Sequence, residues 1–456
     1  MTHAEPPPPP AQPSQPHPPQ PHPLQPSPAG GPRLTAGWPA PPPWQEPAVD
    51  LAAAATAPRG RSLAPDLARG LMLLLIALAN VPWLLYGREH TLTNAHQPGH
   101  EGADLGYQLF SLVAIDGRSY PLFAFLFGYG IWQLYSRQSA AGTPWRQARR
   151  ILQRRHAWMI AIGAVHALLL WFGDIVGAYG LTGLIVVALL LRRSDRVLRI
   201  VAWVLAGVLA VFAAFTLASG LLLGSGIAGD VAAFGSGALP TPAGEPSYAW
   251  FALQSIGFWL LATPGQLLSL TVPLAVVLGM LAARRGLLDR PREHRRALLS
   301  LAVVGIAVGW AGGALAAAQF AGLLLDPALS WATMGVSSLA GVAGGIGYAA
   351  LFALLAAAIG ERRGVVVRAL TAVGKRSLSS YVLQSVLLVP TLAAWGFGLG
   401  ATLAPLAAAG VAVAVWLVSV AIALVLDVRG KRGPAEALLR RLAYGSRPVA
   451  PPTPVA

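Results

Sequence analysis

His166 and Asp174 are the residues of this sequence whose types are best suited to proton-transfer chemistry. His166 lies in the middle of an apolar stretch, and Asp174 follows eight residues later. Histidine exchanges a proton readily near neutral pH, so a histidine in apolar surroundings is a candidate general base. Along one continuous helix the two residues would be about 12 Å apart, so we expect no direct pair and a link through water or another helix. The alternatives are a histidine bonded to a neighbouring helix and an aspartate that caps the next helix.

Polar residues also interrupt other apolar stretches. Asp66 and Arg69 are three residues apart and predict an ion pair on one helix face, whereas Asn80, eleven residues after Arg69, needs a hydrogen-bonding partner inside the protein. Asp116 and Arg118 open a further apolar stretch, where the arginine would be held by Asp116 or by an anionic ligand. These residues are candidates either for helix anchoring or for substrate binding.

A third polar group recurs at helical spacing. Tyr381, Gln384 and Ser385 follow Ser377 at intervals of three and four residues, which predicts one polar stripe along a helix. The stripe either forms hydrogen bonds between helices or contacts a substrate.

Metal and nucleotide chemistry have little support in the sequence. His90, His96 and His100 crowd one segment with two acidic residues, but their spacing matches no metal-ligand pattern, so we predict no metal site. The chain has no cysteine, no phosphate-binding glycine loop and no His-Glu-x-x-His pair. No bound cofactor is expected.

The composition indicates which elements must position these residues. Of 456 residues, 55% are hydrophobic and only 11% are charged, whereas a soluble domain has roughly 25% charged residues. A helix needs about 17–25 apolar residues to cross a lipid bilayer, and ten segments approach that length. We therefore predict an all-α, polytopic transmembrane helical bundle in a lipid bilayer. The spans are 69–87, 119–136, 157–173, 175–191, 200–224, 265–283, 297–320, 336–360, 377–396 and 401–426.

Three details complete the predicted organisation. Residues 157–173 and 175–191 should form a tight hairpin, and the aromatic segment 248–262 should lie in the membrane interface. Pairs of glycines four residues apart, such as Gly309 and Gly313, should let helices approach closely. Residues 1–58 contain 20 of the 39 prolines, so we predict a disordered arm over 1–60, a transmembrane domain over 61–446 and a disordered tail over 447–456.

The basic residues predict an orientation. The net charge of +15 could suggest nucleic-acid binding, but the cations occur as short clusters between apolar segments, which excludes a basic nucleic-acid groove. With both chain ends in the cytoplasm, 31 of the 33 Lys and Arg residues fall on the cytoplasmic side, and only Arg88 and Arg118 fall outside. This separation is the one that membrane proteins show.

Four separated motifs resemble one family of bacterial membrane proteins. They are LFGYG at 126–130, RH at 155–156 with VHALLLWFGDI at 165–175, GKRSLSSYVLQS at 374–385, and RGPAE with RRLAYG within 432–445. Together they resemble the YeiB-like family, domain-of-unknown-function family 418. The resemblance covers about residues 61–446 and implies a multi-pass protein of the bacterial inner membrane.

A more distant similarity concerns the first span. The segment DLARG at 66–70 is similar to the opening motif of polytopic membrane acyltransferases, which pass an acyl group from a cytoplasmic donor such as acetyl-CoA to an envelope glycan or lipid. Pro65 replaces the usual leucine, and Asn80 replaces a histidine of those enzymes. Because an amide cannot act as a general base, His166 is the alternative base, with Asp174 orienting it and Arg69 or Arg118 holding an anionic group.

Three functions are therefore compatible with the sequence. The first is a membrane acyltransferase that uses acyl-CoA as co-substrate. The second is a transporter for a small solute, with the same polar groups lining a path through the bundle. The third is a non-catalytic membrane component whose basic inner face binds anionic lipid or a protein partner.

Overall fold

The structure, a computed structural model, describes residues 63–88, 95–225, 241–360 and 364–445. The predicted arm and tail, residues 1–60 and 447–456, lie outside these ranges. Within them the chain is helical and contains no strand, which confirms the predicted fold class. The helices are α1 (Leu63–Asn80), α2 (Gly102–Ala114), α3 (Ser119–Ala140), α4 (Trp145–Leu169), α5 (Val176–Leu189), α6 (Asp195–Gly224), α7 (Tyr248–Leu268), α8 (Thr271–Arg284), α9 (Arg295–Phe320), α10 (Met334–Ile359), α11 (Val365–Lys375), α12 (Ser377–Leu392), α13 (Pro405–Val428) and α14 (Pro434–Tyr444).

The number of membrane spans differs from the ten that hydropathy predicts. Among the described residues, six helical segments are long and apolar enough to cross a bilayer, and α7 with α8 makes up to seven if that bent pair is one span. The helices α5 and α12 have 14 and 16 residues. At 1.5 Å per residue, α5 is about 21 Å long, which is shorter than the hydrocarbon layer of about 30 Å. A count of ten is therefore not confirmed, and the orientation of the chain stays a prediction.

Several helices were not expected from hydropathy. The segment predicted to lie in the interface, 248–262, belongs to the 21-residue helix α7, and the predicted span 265–283 crosses the break between α7 and α8. The predicted loop before residue 119 contains α2. Amphipathic helices such as α2, α11 and α14 are missed because their apolar faces are too short to raise the average hydropathy of a long window.

Small residues set the distances between the main helices, as predicted. A Cβ atom on Gly309 would lie 2.6 Å from Gly344, so α9 and α10 touch through backbone. Gly128 and Gly279 make equally close approaches between α3 and α8. Gly313, in contrast, packs against the side chain of Arg118. The close approach lets the bundle gain van der Waals contact where lipid supplies no hydrophobic driving force.

The polar helix α12 is fixed at its amino end by the last helix. A carboxylate oxygen of Glu436, at the start of α14, accepts hydrogen bonds from the backbone amides of Leu378 and Ser379 at 2.7 and 3.2 Å. These amides belong to the first turn of α12, where a helix leaves its amides without internal partners. Arg376 adds bonds to Lys431 and Asp427 just before the helix. The stripe with Tyr381 and Gln384 therefore starts from an anchored position.

Candidate functional site

The site is centred on the hairpin between α4 and α5, where His166 and Asp174 pair directly. His166 Nδ1 lies 2.8 Å from Asp174 Oδ2, and both side chains are buried. The expectation of a 12 Å separation was wrong because α4 ends at Leu169 and the chain turns back before α5 begins at Val176. The turn moves Asp174 off the axis of α4 and alongside His166. The pair is thus a product of the helix break.

Asp174 is held from its other oxygen as well. Its Oδ1 accepts a hydrogen bond from the backbone amide of Gly177 at 2.8 Å and one from Trp259 Nε1 at 3.3 Å. The first bond satisfies a free amide in the opening turn of α5, as expected for a capping aspartate. A buried carboxylate is stable only when such partners replace water. Asp174 therefore caps α5 and fixes the orientation of the His166 ring with the same carboxylate.

The far nitrogen of His166 is the reactive candidate. When Nδ1 carries the proton that is donated to Asp174, Nε2 keeps a lone pair and can accept a proton. Nε2 is buried, and no hydrogen-bonding partner reaches it within the described ranges. The ring lies beside Tyr381 of α12, with the ring centroids 5.0 Å apart. An oriented imidazole with an unoccupied nitrogen is the arrangement that a general base requires.

Tyr381, which lies beside this ring, also forms part of the wall of a small cavity that His166 itself does not line. Asn80, Gln384 and Ser385 line the same cavity, so the structure brings together four of the candidate residues. Trp171, from the hairpin, lines it too. The indole Nε1 of Trp171 and the amide Nε2 of Gln384 are buried donors without a partner among the described residues. Unpaired buried donors are rare in folded proteins, and they commonly bind water or a ligand.

Arg69 lies away from this cavity, at the other end of α1. It pairs with Asp66 at 3.5 Å, which confirms the predicted ion pair, and it donates to the carbonyl of Leu126 at 3.3 Å. Eleven residues of helix separate it from Asn80, which corresponds to about 16 Å along the axis. The two candidates of α1 therefore act at different depths.

Asp116 and Arg118 form a second buried polar group, which does not line the cavity. Arg118 donates to the backbone carbonyls of Leu112 and Asp116 and, from Nε at 3.2 Å, to that of Gly309. The carboxylate of Asp116 instead contacts His96 Nε2 at 2.7 Å. Asp116 thus holds Arg118 through its backbone carbonyl, and Asp116 was one of the two partners that the sequence analysis considered for this arginine.

Two residues of interest were missed by the sequence reasoning. Trp259 contacts Asp174 across 85 positions of sequence, and a pattern within one helix gives no signal for such a contact. His156 lies on α4 ten residues before His166; it is fully buried, and neither ring nitrogen has a partner in the described part of the chain. Its ring packs against Gly183 and Phe127. His156 occurs in one of the motifs, which is the signal that could have marked it.

Within the described ranges, no group of three or more His, Asp or Glu side chains could hold a metal ion.

The long apolar helices and the ionisable pair inside them define a multi-pass helical membrane protein. A match to a known family covers its carboxy-terminal part. Residues 282–446 match the family model described as "Protein of unknown function (DUF418)". The resemblance to the YeiB-like DUF418 family is thereby confirmed, and the matched region includes α12 with Tyr381, Gln384 and Ser385.

Two curated relatives are similar to parts of this chain. The chain is 32% identical over 125 residues to the uncharacterized protein YeiB of Escherichia coli (strain K12), which is 27% of this chain and 30% of that protein. It is 27% identical over 199 residues to the uncharacterized protein YxaH of Bacillus subtilis (strain 168), which is 41% of this chain and 48% of that protein. The match spans less than half the length of each relative.

Proposed function

We propose that this protein is a membrane acyltransferase that moves an acyl group from a cytoplasmic acyl-CoA to a hydroxyl group of an envelope glycan or lipid. The observation that carries the proposal is the His166–Asp174 pair, in which Nδ1 is held at 2.8 Å and Nε2 has no hydrogen-bonding partner among the residues that the structure describes. The pair lies beside polar residues of α12 in the interior of the bundle. Ionisable groups in a membrane-spanning bundle are energetically unfavourable, so those that are present commonly serve a function.

The reaction requires one proton transfer and one bond exchange. His166 Nε2 removes the proton of the acceptor hydroxyl as its oxygen attacks the thioester carbonyl. The new carbon–oxygen bond forms, the carbon–sulfur bond breaks, and the proton passes from His166 to the departing thiolate. Asp174 stabilises the positive charge on the imidazole during the step, as a carboxylate does when it accepts from Nδ1.

Residues of the cavity supply the remaining elements. Trp171 Nε1 and Gln384 Nε2 are donors that could stabilise the negative oxygen of the tetrahedral intermediate. Asn80 cannot take a proton, but its amide can orient the acceptor. Tyr381 and Ser385 complete the polar wall. Each of these side chains is assigned to binding, and His166 alone is assigned to proton transfer.

The predicted orientation of the chain suggests the side of the membrane from which the acyl donor reaches the site. With both chain ends in the cytoplasm of a bacterial cell and the protein in the inner membrane, Arg69 lies near the cytoplasmic end of α1. We assign Arg69 to the phosphate groups of the donor. Asp116 and Arg118 lie near the opposite surface and, because Arg118 is bonded to carbonyls, we give them a structural part.

The experiment is a transfer assay with the full chain in proteoliposomes. Radiolabelled acetyl-CoA is added with envelope glycan or lipid extracts, and labelled acceptor is measured for the wild type, His166→Ala and His156→Gln. The proposal expects label transfer by the wild type, loss in His166→Ala, and retention in His156→Gln, which alters a second buried histidine of the same helix. Absence of transfer by the wild type, combined with uptake of small solutes by the proteoliposomes, would replace the proposal with the transporter hypothesis.

A further inference from the structure

The helix α7 separates the His166–Asp174 pair from the membrane. Its buried residues form one stripe at intervals of four: Phe251, Ser255, Trp259 and Thr263. The other side is apolar and open; Leu261, for example, is 79% exposed. Trp259 is 5% exposed and its indole donates to Asp174. Because a helix with its side chains is about 10 Å wide, the catalytic pair lies only one helix away from lipid.

The break after α7 has the properties of a hinge. Leu270 has φ of 61°, and among the described residues it is the one non-glycine residue with a positive φ. A side chain in this left-handed conformation is unfavourable for leucine. The axes of α7 and α8 differ by 53° at this point. Pro264, inside α7, removes a further helical hydrogen bond, so the carboxy-terminal end of α7 is the weak part of the helix.

The buried face of α7 contains two hydroxyl groups that packing between apolar helices does not require. Ser255 Oγ and Thr263 Oγ1 are buried, and neither has a hydrogen-bonding partner within the described ranges. They lie one turn on either side of Trp259, in the stripe that faces the hairpin. An unpaired hydroxyl at this depth costs free energy. Such atoms are expected where a polar group of a ligand completes the hydrogen bonding in another state.

We infer that α7 is a lateral gate and that the acyl acceptor is a lipid-borne hydroxyl compound that enters from the bilayer between α7 and the α4–α5 hairpin. This inference rests on the proposed function for its chemistry. In the closed state the indole of Trp259 donates a hydrogen bond to the carboxylate of Asp174, and the hydroxyl of Tyr248 donates to the carbonyl of Leu169 at 3.0 Å. Rotation at Leu270 withdraws Trp259, presents Ser255 and Thr263 to the headgroup of the acceptor, and opens a path to His166 from lipid.

The absence of cysteine in the chain allows a direct test of the opening. Single variants Ser255→Cys and Ser419→Cys are reconstituted in vesicles of phosphatidylethanolamine and phosphatidylglycerol. Ser419 is a matched control, because it is also a buried serine of a long apolar helix but bonds to the carbonyl of Val415 in α13. A membrane-partitioning N-alkyl maleimide and a charged, membrane-impermeant maleimide are added separately, and the labelled fraction is followed by mass spectrometry.

A gate predicts that the membrane-partitioning reagent labels Ser255→Cys at least about tenfold faster than Ser419→Cys, since local opening exposes only the first site. Leu270→Gly in the Ser255→Cys background should slow this labelling severalfold, because glycine relieves the strain of the closed conformation. Equal labelling of both serine variants would overturn the gate. If the charged reagent labels Ser255→Cys faster than the membrane-partitioning reagent does, entry of the acceptor from lipid is contradicted.

Labelling does not depend on catalysis, so the two proposals fail separately. His166→Ala combined with Ser255→Cys should label at the rate of Ser255→Cys alone, even though transfer is lost. If labelling reports an open gate and no lipid fraction accepts an acyl group, the acyl transfer proposal fails while the lateral opening stands. Thermal unfolding of each cysteine variant, compared with the wild type, verifies that the protein is folded during labelling.

Discussion

Two buried polar groups of this protein use their hydrogen-bonding atoms in opposite ways. Around Arg118, the guanidinium donates to the carbonyls of Leu112, Asp116 and Gly309. Around His166, Nδ1 is paired, but within the described part of the chain Nε2 has no partner, and neither has the indole donor of the nearby Trp171. A buried group whose donors are used by backbone stabilises one conformation, whereas a group that keeps free atoms can bind something else.

By this criterion the Arg118 region stabilises the fold, whereas the His166 region is assigned a function. Both regions contain an aspartate paired with a histidine, so this pairing alone does not distinguish them. Asp116 contacts His96 at 2.7 Å, much as Asp174 contacts His166. What differs is the cavity beside Tyr381, which Trp171 of the hairpin lines and which His96, Asp116 and Arg118 do not line.

The largest expected effect is on transfer in His166→Ala. Removing a general base lowers the rate about 10²–10⁴-fold. Because the substitution also leaves the buried Asp174 without its imidazole partner, it should lower the free energy of unfolding by about 1–3 kcal/mol. The measurement is labelled-acetyl transfer at saturating donor. A variant that transfers at the wild-type rate would remove His166 from the mechanism.

Arg118→Ala should have the next largest effect, which is a decrease in the free energy of unfolding. The substitution leaves several buried carbonyls without a donor and creates a void, which together cost about 3 kcal/mol. The measurement is the free energy of unfolding in detergent. Arg88→Ala is the control, because Arg88 is an exposed arginine near the same predicted surface and its removal should change stability by less than about 0.5 kcal/mol. An equal effect of both variants would argue against a structural part for Arg118.

Because Asp174 acts through His166, Asp174→Asn should reduce transfer by no more than loss of the base itself does, which is about 10²–10⁴-fold. The amide keeps the size of the side chain, and its oxygen can still cap α5, but it no longer stabilises a positive imidazole. The rate of transfer and the helix content by circular dichroism are measured together. Loss of helix content in proportion to the loss of rate would show that Asp174 acts only as a cap.

Trp259→Phe should have the smallest effect. It removes the hydrogen bond to Asp174 and preserves most of the ring packing against Gly177. One such bond contributes about 0.5–1.5 kcal/mol, so transfer should fall a few-fold and labelling of Ser255→Cys should accelerate by a similar factor. Slower labelling would contradict the function of Trp259 in holding α7 closed.

Much of this molecule follows from local sequence patterns. The apolar segments, the Asp66–Arg69 pair, the close glycine contacts and the stripe of Tyr381, Gln384 and Ser385 all depend on residues within one helix or on simple periodicity. The stripe was correctly predicted because helical spacing alone places its members on one face.

The features that define the site depend instead on breaks and on distant contacts. His166 and Asp174 meet because α4 stops at Leu169, and hydropathy averages over such a stop. Trp259 reaches Asp174 from a helix that was predicted to lie in the interface, and the bend at Leu270 leaves no mark in composition. Sequence therefore predicts which residues are polar at depth, but the broken helices decide which of them meet.

The most direct test measures transfer and unfolding side by side for His166→Ala and Arg118→Ala. The account predicts that His166→Ala loses transfer even at temperatures where it is fully folded, whereas Arg118→Ala unfolds at a clearly lower temperature than the wild type and still transfers acyl groups where it is folded. If folded His166→Ala transfers at the wild-type rate, or the wild type transfers no acyl group, then the His166 region is structural too and the distinction between the two regions is wrong.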